Sequence, residues 1–106
     1  MLDCSDEVYV PAIVLGELLA GFKKGNAEQR NKEILADFLD VSRVFTLPID
    51  EDSAKRYAVI LDYLHRQGAP IPTNDIWIAA LAMEHSLVIY TRDPHFDLLP
   101  QIPKIR

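Results

Sequence analysis

Cysteine is almost missing from this chain: Cys4 stands alone among 106 residues. A single thiol closes no internal disulfide, and that usage points to the cytoplasm. Long apolar runs are missing too. None approaches the roughly 20 residues a bilayer-spanning helix needs, so no membrane role is expected. The opening MLDCSDEVYV lacks a basic stretch ahead of an apolar core and does not read as a signal peptide. Positive charge is scarce, with 11 Lys and Arg against 16 Asp and Glu and a net charge of −5. That balance excludes a simple basic clamp on nucleic acid, whose affinity would come from Lys and Arg. It leaves room for a nuclease, because acids that hold divalent cations present positive charge to a substrate. There is no P-loop, no glycine-rich dinucleotide loop and no nucleophile elbow. His65, His85 and His95 have no metal-ligand spacing on one helix, which argues against zinc.

What is present is ordinary globular material, 49% apolar and 25% charged. The length bounds it to one domain, residues 1–106, or part of one. Residues 7–11, EVYVP, form a β-branched and aromatic run stopped by proline, a strand. AIVLGELLAGF, 12–22, is made of helix formers, with Pro11 suited to its first turn. Residues 27–41 place Ile34, Leu35, Phe38, Leu39 and Val41 near one helical face. RVFTL, 43–47, predicts a second strand. Asp50 or Asp52 caps a third helix whose inner face carries Tyr57, Ile60, Leu61 and Leu64 and which ends at Gly68. Thr73 is the expected N-cap of a helix over 74–85, with Trp77 in the core. LVIYT, 87–91, is apolar on both faces, as in a covered parallel strand, and the tail IPKIR suits a short edge strand. Strands alternating with helices predict an α/β fold with a parallel sheet.

Two aspartates then stand out. From Asp75 to His85 a helix advances about 15 Å. From Leu87 to Arg92 a strand returns about 16 Å. Asp93 is therefore expected back at the level of Asp75, at the carboxyl end of a strand, where open α/β sheets bind ligands. Taken singly, Asp75 suits a helix start and Asp93 suits a turn before Pro94. Glu17 is the third acid. Its helical neighbours Ile13, Val14, Ala20 and Gly21 carry no charge, so few solvated faces are expected for it. A buried carboxylate must be paired, protonated or metal-bound. Three carboxylates at one edge would be relieved by a hard divalent cation, which activates water and offsets charge on a phosphodiester. Held that way, the three acids leave the rest of the chain at −2 (−5 + 3).

VYVPAIVLGELLAGF, followed by PTNDIWIAALAMEHSLVIYTRDPHF, resembles the PIN-domain ribonucleases, especially the VapC-type toxins of toxin–antitoxin pairs. The resemblance spans nearly the whole chain. It rests on a combination: Glu17 with Gly21, the Asn74–Asp75 helix start, and Thr91-x-Asp93 with His95 and Phe96 just after. It implies a parallel sheet flanked by helices as a three-layer α/β/α fold. It further implies a Mg²⁺ or Mn²⁺ site, endonucleolytic cleavage of RNA, a small antitoxin partner and a homodimer. Carried over by position, Glu17, Asp75 and Asp93 are the catalytic metal ligands, Asn74 and Thr91 the supporting polar residues, and Arg92 a phosphate contact. Asp97 is a lesser acid near the site, and Lys23 and Lys24 follow the Glu17 helix.

One departure matters. The family opens with a strand bearing its first Asp, and LDCS at residues 2–5 invites a match to Asp3. Only 13 residues separate Asp3 from Glu17, and EVYVP already supplies the strand before the Glu helix. A parallel crossover needs about a dozen residues or more. The chain is therefore expected to lack the first strand, first helix and first Asp, leaving unpaired strand edges. Two functions follow as expectations: a metal-dependent endoribonuclease toxin, or a non-catalytic remnant that binds antitoxin or a second copy of itself.

Overall fold

The computed structural model describes residues 2–4, 7–90 and 104–105, with side chains over 7–89. In chain order the elements are β1 (Leu2–Cys4), β2 (Glu7–Pro11), α1 (Ala12–Lys24), α2 (Glu28–Leu39), β3 (Val44–Leu47), α3 (Glu51–Gln67), α4 (Thr73–His85), β4 (Val88–Tyr90) and β5 (Lys104–Ile105). The sheet order is β3-β2-β1-β4-β5. β2 runs parallel to β3, and β4 parallel to β5. Those two pairs are the expected parallel sheet, and β5 is the expected edge strand in the tail.

At the centre stands something not foreseen. β1 lies antiparallel to both neighbours, with Leu2 opposite Tyr9 and Ile89, and Asp3 opposite Val8 and Val88. The predicted gap beside β2 is thus filled by residues 2–4. An antiparallel neighbour needs only a tight reversal, whereas a parallel one would need a crossover. Residues 4 and 7 are partners across that reversal.

Alternation along β2 sends successive side chains to opposite faces. Tyr9 packs against the main core, while Val10, only 1% exposed, lines a groove between α1 and α2. Helices therefore cover both sheet faces. The main core gathers Leu47, Ile60, Leu64, Ile76, Leu81, Leu87 and Ile89 with the alanines 79, 80 and 82 of α4. Those alanines let the helix approach closely, and five of its residues are buried. By contrast, α1 and α2 bury none of theirs, and Ile34 is 56% exposed. Amphipathic spacing thus identified α2 correctly as a helix but overstated how deeply its apolar face sits.

The two helices on the core side are antiparallel. Ser53 near the start of α3 meets Glu84 near the end of α4, and Tyr57 stacks on Trp77 with centroids 4.2 Å apart. Gly68 ends α3 with φ 63°, the left-handed conformation that glycine adopts without steric cost. The start of α4 differs from expectation. Pro72, not Thr73, holds the cap position, Thr73 is the first helical residue, and no side chain caps the helix. The Pro72 carbonyl accepts from the amides of Asp75 and Ile76 instead. No described helix is long and apolar enough to cross a membrane.

Candidate metal and nucleic-acid site

The start of α1 and the start of α4 converge on one open pocket of about 510 Å³. Ala12, Ile13, Gly16, Glu17 and Ala20 of α1 line it, together with Ile49 and Asn74. β2 delivers α1 there, because the strand ends at Pro11 and the helix begins at the next residue. The short 69–72 connector delivers α4, and Asp75 sits half-buried in its first turn, next to Asn74. Helix starts carry partial positive charge and unpaired amides, so both ends favour anions at this place.

Of the residues singled out from sequence, Glu17 and Asn74 share the pocket, and Asp75 adjoins it. Glu17 is exposed, contrary to the scarcity of solvated faces expected on an apolar helix. The reason is that no described element covers the pocket stripe of α1, so apolar neighbours in sequence do not become burial in space. Thr91, Arg92, Asp93, His95, Phe96 and Asp97 lie outside the described residues. His65 and His85 are exposed, and Trp77 is half-buried against Tyr57. Lys23 pairs with Glu28 at 3.0 Å across the α1–α2 corner, and Lys32 reaches the same carboxylate at 3.3 Å. Lys23 first, then Lys32, hold the Glu28 carboxyl below its usual range.

A second oxygen-rich group went unnoticed in the sequence. Asp50, Asp52 and Glu84 place carboxylate oxygens within 4.8 Å of one another. Half of it was legible: Asp50 and Ser53 have capping-box spacing, and both reciprocal bonds form, at 3.0 and 3.1 Å. Glu84 was not, because its 2.7 Å bond to Ser53 joins residues 31 apart in the chain. The Ser53 backbone amide, then its hydroxyl, hold the Asp50 carboxyl below its usual range. Glu84 lies nine residues beyond Asp75 on the same helix, about 13 Å along its axis. The two acidic groups are therefore separate places, and the second is tied up in closing α3 onto α4.

Comparison with known proteins decides the family. The PIN domain model matches residues 2–101. The chain belongs to the PIN-domain family. Within it the similarity runs to VapC-type toxins. Ribonuclease VapC5 of Mycobacterium tuberculosis is 32% identical over 94 residues, which is 89% of this chain and 70% of that protein. Ribonuclease VapC of Rickettsia bellii is 33% identical over 101 residues, 92% of this chain and 74% of that one. Among solved structures, the DNA-bound VapBC of Salmonella typhimurium superposes with a TM-score of 0.82 at 31% identity, covering 92% of this chain and 73% of that one. The α/β fold expected from the residues, and the three-layer arrangement implied by the resemblance, are the PIN fold, with the helix bearing Glu17 and the helix bearing Asp75 meeting at one pocket.

Proposed function

We propose that this PIN-domain chain is a metal-dependent endoribonuclease toxin of a toxin–antitoxin pair, hydrolysing RNA phosphodiesters. The observation that carries the reading is the meeting of Glu17 with the Asn74–Asp75 helix start at one pocket in a chain of this family. The donor set fits a hard divalent ion. Glu17 and Asp75 offer carboxylate oxygens and Asn74 an amide oxygen, and among the described residues the pocket lining carries no thiol or imidazole. Mg²⁺ or Mn²⁺ is the ion such donors select, held by Glu17, Asp75 and Asp93. When bound, it supplies an activated water and offsets charge at phosphorus. The chain's own residues do the rest. The two carboxylates early in α1 and α4 fix where a phosphodiester is held, and Asn74 and Thr91 orient ligands or water. Arg92 meets a neighbouring phosphate, and the two helix starts favour the negative charge that builds on the reacting group. The oxygen of a water bonds to phosphorus as the P–O3′ bond breaks, the water loses a proton to solvent and the departing 3′-oxygen takes one from solvent, giving 5′-phosphate and 3′-hydroxyl ends.

An antitoxin partner is supported by the complexes that similar chains form, since the Salmonella neighbour is a VapBC assembly. The uncovered apolar groove lined by Val14, Leu18, Phe22, Ile34, Leu35 and Phe38 suits a protein partner as well. A cytoplasmic homodimer completes the reading.

The test is cleavage of structured RNA with and without Mg²⁺. Asp75→Asn should lower the Mg²⁺-dependent rate by at least about 100-fold, since even partners of metal ligands are worth 10–100-fold. Asp52→Asn, in the separate acidic group, should leave the rate within about twofold of the parent. The reverse pattern would move the metal site to the start of α3. Antitoxin binding without any cleavage would favour the non-catalytic remnant.

A further inference from the structure

We infer that Lys24 is a phosphate-binding residue that extends the RNA track away from the pocket along α1; this rests on the reading just proposed. At about 100° per residue, Ile13, Gly16, Glu17 and Ala20 form one stripe of α1, and all four line the pocket. Lys24 continues that stripe, within about 20° of Glu17 around the helix and two turns, or about 10 Å, further along it. Lys23 falls about 120° away from Glu17 by the same count, close to Gly16, but its ammonium is taken by Glu28 at 3.0 Å. Val14, Leu18 and Phe22 form a different stripe, which faces the groove against α2. Between its acid and its lysine the pocket stripe is small and smooth, with Ala20 as floor.

Among residues 7–89, whose side chains are described, Lys24, Arg30, Arg43 and Arg56 are the Lys and Arg that make no ion pair with another residue of that range, and of these Lys24 alone is on α1. It is exposed, so its long side chain is available to a ligand. In a chain of net charge −5, an unpaired cation in line with the candidate metal ligand is where a polyanion gains most. A strand whose reacting phosphate sits beside Glu17 would pass over Ala20 and set a phosphate further along at Lys24. The contact is to backbone, so it adds affinity for any sequence and does not choose a base.

Lys24 also ends α1, and a basic residue there favours the helix dipole. The two roles separate by measurement. Binding of a labelled single-stranded RNA to the full chain, with Ca²⁺ in place of Mg²⁺, is followed over a salt series for the parent, Lys24→Gln, Lys24→Glu and Lys23→Gln. Losing one phosphate contact should weaken binding about fivefold or more at low salt and reduce the slope of log K against log salt by about 0.7, equally for different RNA sequences. Lys24→Glu should act more strongly than Lys24→Gln, and Lys23→Gln should leave the slope unchanged. An unchanged slope in both Lys24 variants, with the parent still binding RNA, overturns the inference and leaves the proposed function standing. A parent that neither binds nor cleaves RNA overturns both.

Discussion

Ser53 is fully buried, with one hydroxyl proton and carboxylates on two sides. Asp50 Oδ1 lies 3.0 Å from the hydroxyl and Glu84 Oε1 2.7 Å, while the Asp50 amide donates to it. The hydroxyl serves one carboxylate at a time, and the Ser53 amide, donating to Asp50 at 3.0 Å, secures the other. That amide bond is the first cause holding the Asp50 pKa below its ordinary value. A folded-state value below the unfolded one gives stability that is full above the unfolded value and lost as pH falls through the folded one. Thermal melts from pH 7 downward should therefore show an acid-side loss in the parent that is shallower in Asp50→Asn. Asn keeps the cap and drops the charge, so the slope reports the carboxylate and not the helix start. An equal slope in both proteins would remove Asp50 from the account of acid stability.

Scale changes what a sequence reveals. Element types were legible because local chemistry sets them: the proline stop of EVYVP, the glycine after α3 and the apolar run of β4 all behave as read. Burial was less legible, because it depends on what lands opposite. Ile60 and Leu64 are covered by α4, yet Ile34, equally apolar and equally periodic, stays 56% exposed, and Val41, expected on the same helical face, falls beyond the end of α2 at Leu39 and is 46% exposed. The same reason misplaced Glu17, whose apolar neighbours along α1 face a pocket and a groove instead of a core. The meeting of Glu17 with the Asn74–Asp75 helix start was readable because the Glu17 helix begins where a strand ends, at the edge where open α/β sheets bind ligands, whereas the Ser53–Glu84 bond was not, since no local rule joins residues on two packed helices. Exposure of the α1–α2 groove has a measurable consequence. A hydrophobic dye such as ANS should bind the native chain, and Ile34→Lys should reduce that signal. The melting temperature should hold, because a residue this exposed contributes within about 0.5 kcal/mol. Unchanged dye fluorescence would mean that the groove is not the apolar surface the dye meets.

For the whole molecule, the sheet sets the layout. Its parallel outer pairs carry the helices that cover both faces, and three antiparallel residues join those pairs through the middle. With only Leu2 and Asp3 registered against β4, that junction is brief, and strand pairing between the two halves rests on it. Its direction also decides how the protein can be handled at the bench. Because β1 runs against β2, Leu2 lies toward the Pro11 end of its neighbour, the end from which α1 departs. Leu2 itself stands on that edge at the middle of the sheet, so a fusion ahead of it starts from there. A fusion after β5 emerges at the sheet's outer strand instead. An affinity handle at the N-terminus should therefore depress RNA cleavage until a protease removes it, while the same handle at the C-terminus should cost less. Equal rates with either handle would show that the N-terminal approach leaves the pocket clear.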